Sequence, residues 1–426
     1  MKIKWAQIIP LIGGLPLGMR SIFKSDPEFV ISFNGFQNND KHFINYLRER
    51  NWKGDYLTVD ECTNSIIPDT KTYSKSMNLA KKNIDVIGCV APCAGLSSLS
   101  PTSKADSPVN DWMYKSANFI LEEVKPKIFW GENSIYLSAR KGRPVADKLA
   151  KIGETNDYWF LIYSTENILH GTPQKRPRTF YFYFRKDIFK YCPKLNKLPI
   201  EKLRIEELLD KVQIVQENDP MNITINREEK IEDNPWYQFW WDYHNVKSHR
   251  ELVELMGPLD NKTNQPSLVG RACFMHKDNM NILKEYFAAK GLDRVVKRVE
   301  HIDEKFKQNK GAWLRGPQID RGFIPGFVSD QVIFFVHPRE QRYLTFREAL
   351  SIMAMPYDFN MIGDNLYIQR NHFAQNVCMT TAEVFSKEVL NLLKGNCENF
   401  NESIGESCYY LIDHRKDDKT EIREII

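Results

Sequence analysis

The feature that most constrains this chain is an alternation running through its first 185 residues. The apolar runs "WAQIIPLI", "EFVISF", "IDVIGCV", "PKIFWGEN", "YWFLIYST" and "RTFYFYF" take turns with "DKHFINYLRER", "NDWMYKSANFILEEV" and "RPVADKLAKIGE", whose apolar residues recur at helical spacing. Short apolar runs read as buried strands, and helices between them let strands return in parallel. The expectation is an α/β protein with a Rossmann-like, mostly parallel, doubly wound sheet. Open sheets of this kind bind ligands just beyond the carboxyl ends of their strands.

From about residue 186 to 335 the rhythm breaks into polar stretches, an aromatic cluster "NPWYQFWWDYHNV" and a basic helix "GLDRVVKRVEHIDEKFKQNK". This reads as a second, smaller domain of mixed structure. Residues 336–399, with helices at "TFREALSIMAM" and "TTAEVFSKEVLNLLK", read as a return to the first domain, and 400–426 as a peripheral tail. A length of 426 residues allows two or three domains, and 42% hydrophobic with 27% charged residues is the balance of a soluble protein. The net charge of +4 excludes a polycation, so any nucleic-acid contact must come from local patches. The opening "MKIKWAQIIPLIGGLPLGM" imitates a signal peptide, but Pro10, Gly13, Gly14 and Pro16 interrupt its apolar run. It is expected to be a buried strand entering a glycine-rich turn, in a cytoplasmic protein with no membrane span. Eight scattered cysteines, Cys62, Cys89, Cys93, Cys192, Cys273, Cys378, Cys397 and Cys408, read as reduced thiols without zinc-site spacing.

Four places carry candidate chemistry. Glycines after the first strand let a backbone approach a cofactor closely, although a tight turn alone would explain them. Pro92-Cys93 ends the strand "IDVIGCV" and enters a small flexible loop. A lone cysteine is most often a small buried hydrophobe, and as a nucleophile it needs partners that favour the thiolate. Glu132-Asn133 closes another strand, where a carboxyl is either a loop charge or a desolvated acid. Gln174, Arg176 and Arg178 alternate before a strong strand, which puts them on one face as a solvated edge or as donors aimed at an anion or a base.

The order of these elements resembles the cytosine-5 DNA methyltransferase family. "HPREQRYLTFREALSIMAMPYDF" and "YIQRNHFAQNVCMTTAEVF" are similar to its later motifs, so the likeness covers about residues 5–185 and 335–395. The stretch between them stands where the family has its target recognition domain. The resemblance implies a flipped cytosine. Cys93 would attack carbon 6 of the ring. Glu132 would hold ring nitrogen 3 and the exocyclic amine, and Arg178 and Arg176 would brace the base and Glu132. S-adenosylmethionine would supply a methyl group to carbon 5. Pro92, Asn133 and Gln174 would line the substrate pocket. Ile12, Gly13, Gly14, Asn34, Asp55, Pro92 and Asn376 would serve the cofactor.

The cofactor motifs depart from the family. Its Phe-x-Gly-x-Gly-Gly is here Ile9-Pro10-Leu11-Ile12-Gly13-Gly14, which lacks the aromatic and one glycine. The acidic residue for the ribose hydroxyls is replaced by Phe33-Asn34, whereas Asp55 matches the residue that contacts the adenine amine. Ala94 stands for a glutamine, Ser134 for a valine and Gln375 for a glycine. Three readings stay open: an ordinary methyltransferase, an enzyme using a modified donor such as carboxy-S-adenosylmethionine with Arg370 and His372 as cations, or a DNA-binding relic. In the middle domain, Arg294, Lys297, Arg298, Lys305, Lys307, Lys310 and Arg315 are candidates for phosphate contact, and Trp236, Tyr237, Phe239, Trp240 and Trp241 read as a small core. The expected partner is double-stranded DNA, bound by a monomer that serves restriction–modification with an unidentified nuclease or acts as a lone phage or bacterial modifier. The branch of the family that acts on transfer RNA is the other possible substrate class.

Overall fold

The first apolar run forms β1 (Trp5–Ile8), fully buried, and leads through a turn into α1 (Gly14–Phe23). The chain continues through β2 (Phe29–Phe33), α2 (Gln37–Arg48), β3 (Asp55–Val59), a short β4 (Ile66–Pro68) and β5 (Val86–Cys89). It then forms α3 (Asp111–Phe119), β6 (Ile128–Ser134), α4 (Arg143–Thr155), β7 (Tyr158–Glu166) and β8 (Pro177–Arg185). The computed structural model describes residues 1–33, 37–59, 66–68, 79–93, 95–96, 104–196, 198–214, 217–226, 229–256, 267–312, 314–319, 322–327, 329–361, 366–396, 398–400, 408–416 and 419–425.

The middle of the chain is built mostly of helices. These are α5 (Ile205–Leu209), α6 (Pro235–Tyr243), α7 (His249–Met256), α8 (Leu268–Met275), α9 (Asn281–Ala289) and α10 (Asp293–Lys307). They close on a core of their own that includes Trp236, Tyr237, Phe239, Trp240, Leu268 and Phe287. The aromatic cluster is therefore packed inward, as the sequence suggested, with Trp240 Nε1 donating to the Leu268 carbonyl at 2.9 Å. The return segment forms α11 (Phe346–Ile352), α12 (Leu366–Gln375) and α13 (Met379–Leu393). A capping box joins Thr345 and Glu348 at the start of α11. Arg347 on that helix forms a buried ion pair with Asp219, at 2.7 Å, which ties the middle region to the return segment. On α13, Ala382 lies so close to Gly18 of α1 that a Cβ at position 18 would come within 2.6 Å of it.

Residues expected to form a peripheral tail do the opposite. β9 (Cys408–Asp413) and β10 (Lys419–Glu424) join the central sheet, which has ten strands in the order β10-β9-β7-β8-β6-β5-β1-β2-β3-β4. β9 lies parallel to β7, and its Tyr409, Tyr410, Leu411 and Ile412 are buried. A run such as "CYYLI" leaves water only by covering an apolar neighbour, and the exposed edge of β7 is that neighbour. β10, the outer strand, reads Lys-Thr-Glu-Ile-Arg-Glu and keeps the final edge charged.

β1 pairs in parallel with both β2 and β5, so strand order reverses there. The glycine turn follows β1 and the Pro-Cys loop follows β5. Both sequence candidates therefore open onto one crevice at the topological switch point. Among the described residues no helix is long and apolar enough to cross a membrane. A chain truncated after residue 399 should uncover β7 and lose on the order of 5 kcal/mol or more of apolar burial. A thermal melt by circular dichroism should show a marked fall in Tm, and an unchanged Tm would show the hairpin to be dispensable.

Candidate active site

The carboxyl end of β5 delivers Cys93. β6 lies parallel beside it, with Cys89 opposite Gly131, so Glu132 and Asn133 emerge from the same edge. β8 runs antiparallel to β6, placing Phe180 opposite Glu132 and Arg178 opposite Ser134. Residues 178 and 180 share a face, so Arg178 reaches diagonally across to the carboxylate. Its Nε lies 2.6 Å from Glu132 Oε1, and the two side chains are 18% and 5% exposed.

Burial dominates the electrostatics here. It pushes the Cys93 thiol up from its ordinary pKa, while the positive charge of Arg178 pulls it down and Glu132 raises it. Burial likewise raises the carboxyl of Glu132 against the opposing pull of Arg178 and Arg176. The arrangement suits a site where a thiol ionises next to guanidinium charge while a neighbouring acid can hold its proton.

Of the other alternating residues, Gln174 takes no part in this, and Arg176 adds its charge to the site while its terminal nitrogens are bonded elsewhere. Gln174 is fully buried, accepts from Asn167 Nδ2 at 3.2 Å and donates to the Met353 sulfur at 3.4 Å, so it braces the scaffold instead of lining a substrate pocket. Arg176 Nη1 donates to the Asn376 carbonyl at 2.8 Å, and Nη2 donates to the carbonyl of Ala374. The expected single face is broken because residues 174–175 pair with 324–325 as a separate short strand and β8 begins only at Pro177. Asn133 is likewise taken up by backbone partners. Its Nδ2 donates to the carbonyls of Ala91, at 3.3 Å, and Pro92, at 3.5 Å, fixing the backbone that presents the partly exposed Pro92 and Cys93.

On the cofactor side, Gly13 has φ 105°, a value that suits only glycine. A Cβ on Gly14 would fall 1.8 Å from the Val377 carbonyl oxygen, so only glycine admits this approach. The Gly14 amide donates to Asn376 Oδ1 at 2.9 Å, which places Asn376 against the turn, and Ile12 lies buried within it. Leu11, standing where the family has a glycine, nevertheless adopts φ 52°, and Ile9 adopts φ 46°. The turn thus keeps left-handed backbone without the residue that tolerates it best, at a cost of about 1–3 kcal/mol for each such position. A left-handed turn of this form is one that backbone uses to approach a small group closely, and its two glycines here also admit Phe43 and the Asn376–Val377 segment.

The structure reassigns one cofactor residue. Asp55 opens β3 opposite Phe29, at the amino ends of the strands, and pairs with Lys82 at 2.9 Å. It therefore stands at the sheet edge away from the crevice. Asp60, next in sequence after β3, and Asn34 lie outside the described residues. Arg370 Nη2 donates to the Ile225 carbonyl at 2.6 Å, and the His372 ring packs edge-on to His42 at 6.0 Å, so both serve α12 packing.

Two residues escaped the sequence reading. Trp112, at the start of α3, meets Phe33 edge-on at 5.2 Å and supplies an aromatic wall at the carboxyl end of β2. Asp40 is buried on α2, where its Oδ2 accepts from the Tyr56 hydroxyl at 3.3 Å and the carboxyl lies near Ser32 and the Leu11 backbone. Neither carried a motif, although an aspartate in a helix with polar neighbours was a visible oddity.

Residues 5–391 match the model of the family described as C-5 cytosine-specific DNA methylase. The chain belongs to that family and is a methyltransferase by class. It is similar in fold to a DNA modification methyltransferase encoded within an E. coli prophage, at 18% identity and TM-score 0.52 over 92% of this chain and 99% of that one. Two further structures align: a Spodoptera frugiperda DNMT2 mutant (10% identity, TM-score 0.45, 91% and 99% covered) and the Entamoeba histolytica methyltransferase EhMeth (12%, 0.46, 92% and 99%). No curated protein matches the chain.

Burial raises the pKa of Asp40 to about 7. The folded state therefore holds a proton that the unfolded chain has released, and stability falls as pH rises between about 4 and about 7, by roughly 1.4 kcal/mol per unit. Asp40→Asn should flatten that slope and gain on the wild type toward pH 7. Denaturant melts across this range check it, and parallel curves would refute the assignment.

Proposed function

We propose that this chain is an S-adenosylmethionine-dependent DNA (cytosine-5-)-methyltransferase that uses Cys93 as its nucleophile. The observation that supports this reading most is the Glu132–Arg178 pair at 2.6 Å, one strand from the cysteine and close enough for both charges to act on its thiol. A cysteine that serves packing alone has no need of a carboxylate and a guanidinium at its side.

In this reading an extruded cytosine enters the crevice, and the Cys93 thiolate adds to carbon 6. Glu132, whose carboxyl burial shifts toward holding a proton, hydrogen-bonds ring nitrogen 3 and shares the proton there as charge develops on the ring, while Arg178 fixes the carboxyl in place. Asn133 keeps the Pro92-Cys93 backbone aimed at the ring. When bound, S-adenosylmethionine supplies the methyl group for carbon 5. The Gly13-Gly14 turn with Asn376 would hold it, and Phe33 and Trp112 would offer the aromatic surface missing at Ile9. Loss of the carbon-5 proton then allows Cys93 to leave. A carboxylated donor gains little support from Arg370, which is committed to the Ile225 carbonyl. A relic is disfavoured by the retained set of Cys93, Glu132 and Arg178.

The middle region supports DNA as substrate. A cleft of about 840 Å³ is lined there by Lys277, Lys307, Lys310 and Arg315 around Phe274 and Phe306. It lies away from Cys93, which suits backbone contact and not chemistry. Arg298 is withdrawn from that task, because its Nη2 donates to the Arg315 carbonyl.

Nucleoside mass spectrometry on DNA from cells expressing the protein should reveal 5-methyldeoxycytidine, absent with Cys93→Ala. DNA containing 5-fluorocytosine should trap the wild type covalently, and no adduct under turnover conditions would sink the mechanism. Methylated transfer RNA with unmodified DNA would redirect the reading to RNA. The double variant Lys307→Gln, Lys310→Gln should bind DNA more weakly and lower the slope of log K against log salt by about 2. An unchanged slope would remove the cleft from the interface.

A further inference from the structure

Arg176 stands where three parts of the molecule meet. Its guanidinium donates to the carbonyls of Ala374 and Asn376, the latter at 2.8 Å, and Asn376 Oδ1 receives the Gly14 amide at 2.9 Å. Two hydrogen-bonded steps thus connect Arg176 to the first residue of α1. On its other side the stem of Arg176 runs over Gly326, where a Cβ would come within 3.0 Å of the arginine Cγ and 3.1 Å of its Cβ. Gly326 follows Ile324–Pro325, the short strand returning from the middle region, which pairs in parallel with Gln174–Lys175. Arg176 is 3% exposed.

An arginine beside a buried acid has an ordinary explanation, which is to neutralise that acid. Here Arg178 makes the direct contact with Glu132, at 2.6 Å. The terminal nitrogens of Arg176 go to main-chain carbonyls instead, and such bonds fix backbone position, while its buried Nε has no hydrogen-bond partner. The planar fork matters for this, because it spans two carbonyls separated by one residue, a geometry that a single ammonium does not reproduce.

We infer that Arg176 is a positioning residue for the cofactor turn: it holds the Ala374–Asn376 backbone so that Asn376 receives the Gly14 amide, and it links that turn to the segment returning from the middle region. The inference rests on the proposed reading of the Gly13-Gly14 turn as the S-adenosylmethionine site. It differs from the role that the family resemblance implied for Arg176, which was bracing the base. If Arg176 served the base through charge, lysine would largely replace it. If it holds backbone, lysine keeps the charge and loses the function.

The test is calorimetric binding of S-adenosylmethionine to the full-length wild type, Arg176→Lys, Gly326→Ala and Arg178→Lys, with kcat and KM measured on the same preparations and thermal melts to establish folding. Arg176→Lys is expected to weaken S-adenosylmethionine binding about tenfold or more and to raise its KM in parallel, the cost of a lost buried hydrogen bond. Gly326→Ala, which crowds the arginine stem without touching the site, should shift affinity in the same direction by a smaller factor. Arg178→Lys should lower kcat with S-adenosylmethionine affinity nearly unchanged. Wild-type affinity in Arg176→Lys together with a reduced kcat would overturn the inference and return Arg176 to the base. Should Arg176→Lys fail to fold, Gly326→Ala decides: weaker binding supports the inference and unchanged binding overturns it. A wild type that binds no S-adenosylmethionine would overturn the functional reading itself, and this inference would fall with it.

Discussion

A carboxylate held in the interior of a sheet edge governs this site. Glu132 is almost completely shielded, and burying an unpaired charge of that kind costs several kcal/mol. The structure meets that cost with a guanidinium, and every element around the site follows from the requirement to deliver it. β8 must run antiparallel between β6 and β7, since only that register sets residue 178 diagonal to residue 132. A parallel strand in that place would put a different part of the chain at the edge. The aromatic residues of β8, from Phe180 to Phe184, are all buried and hold the strand in the middle of the sheet. Packing far from the chemistry thereby fixes the position of one charge pair.

The second constraint is the switch point. Because β1 is flanked by β2 on one side and β5 on the other, the turn after β1 and the loop after β5 open side by side above the strand ends. The turn has given up its first glycine, and the left-handed backbone at Leu11 survives because other groups over-determine it. Asp40 lies buried beside it, Phe43 packs against Gly13, and Asn376 receives the Gly14 amide. Strain in a turn is tolerated where its surroundings leave no other conformation. The departure from the family motif is therefore a change in what holds the turn, with its backbone form retained.

Much of this was legible in one dimension. Burial on both faces produces uninterrupted apolar strands, so β1, β2, β5, β6, β7 and β8 could be read from hydrophobicity alone, and Cys93 and Glu132 could be located just beyond or at the ends of two of them. Asp55 was misplaced for a specific reason. The run "DYLTVD" has an acid at each end, and resemblance favoured the first, whereas the rule that ligands gather at carboxyl ends favours Asp60. The tail was misjudged because a single apolar run of five residues carries no sign of its partner. Only β7, about 250 residues earlier, makes it a strand.

Local pattern determined what the elements are, which residues face inward and which side chains carry reactive groups, because these depend on neighbours within a turn of helix or a few strand positions. Tertiary structure decided which groups meet. Alternation placed Gln174, Arg176 and Arg178 on one nominal face, yet the chain changes sheets between residues 175 and 177, and the three side chains part. One arginine reaches the carboxylate, one clamps the loop beneath the glycine turn, and the glutamine braces the scaffold. Those assignments depend on strands and loops up to 200 residues apart in sequence, and contacts of that range leave no periodicity for a sequence to display.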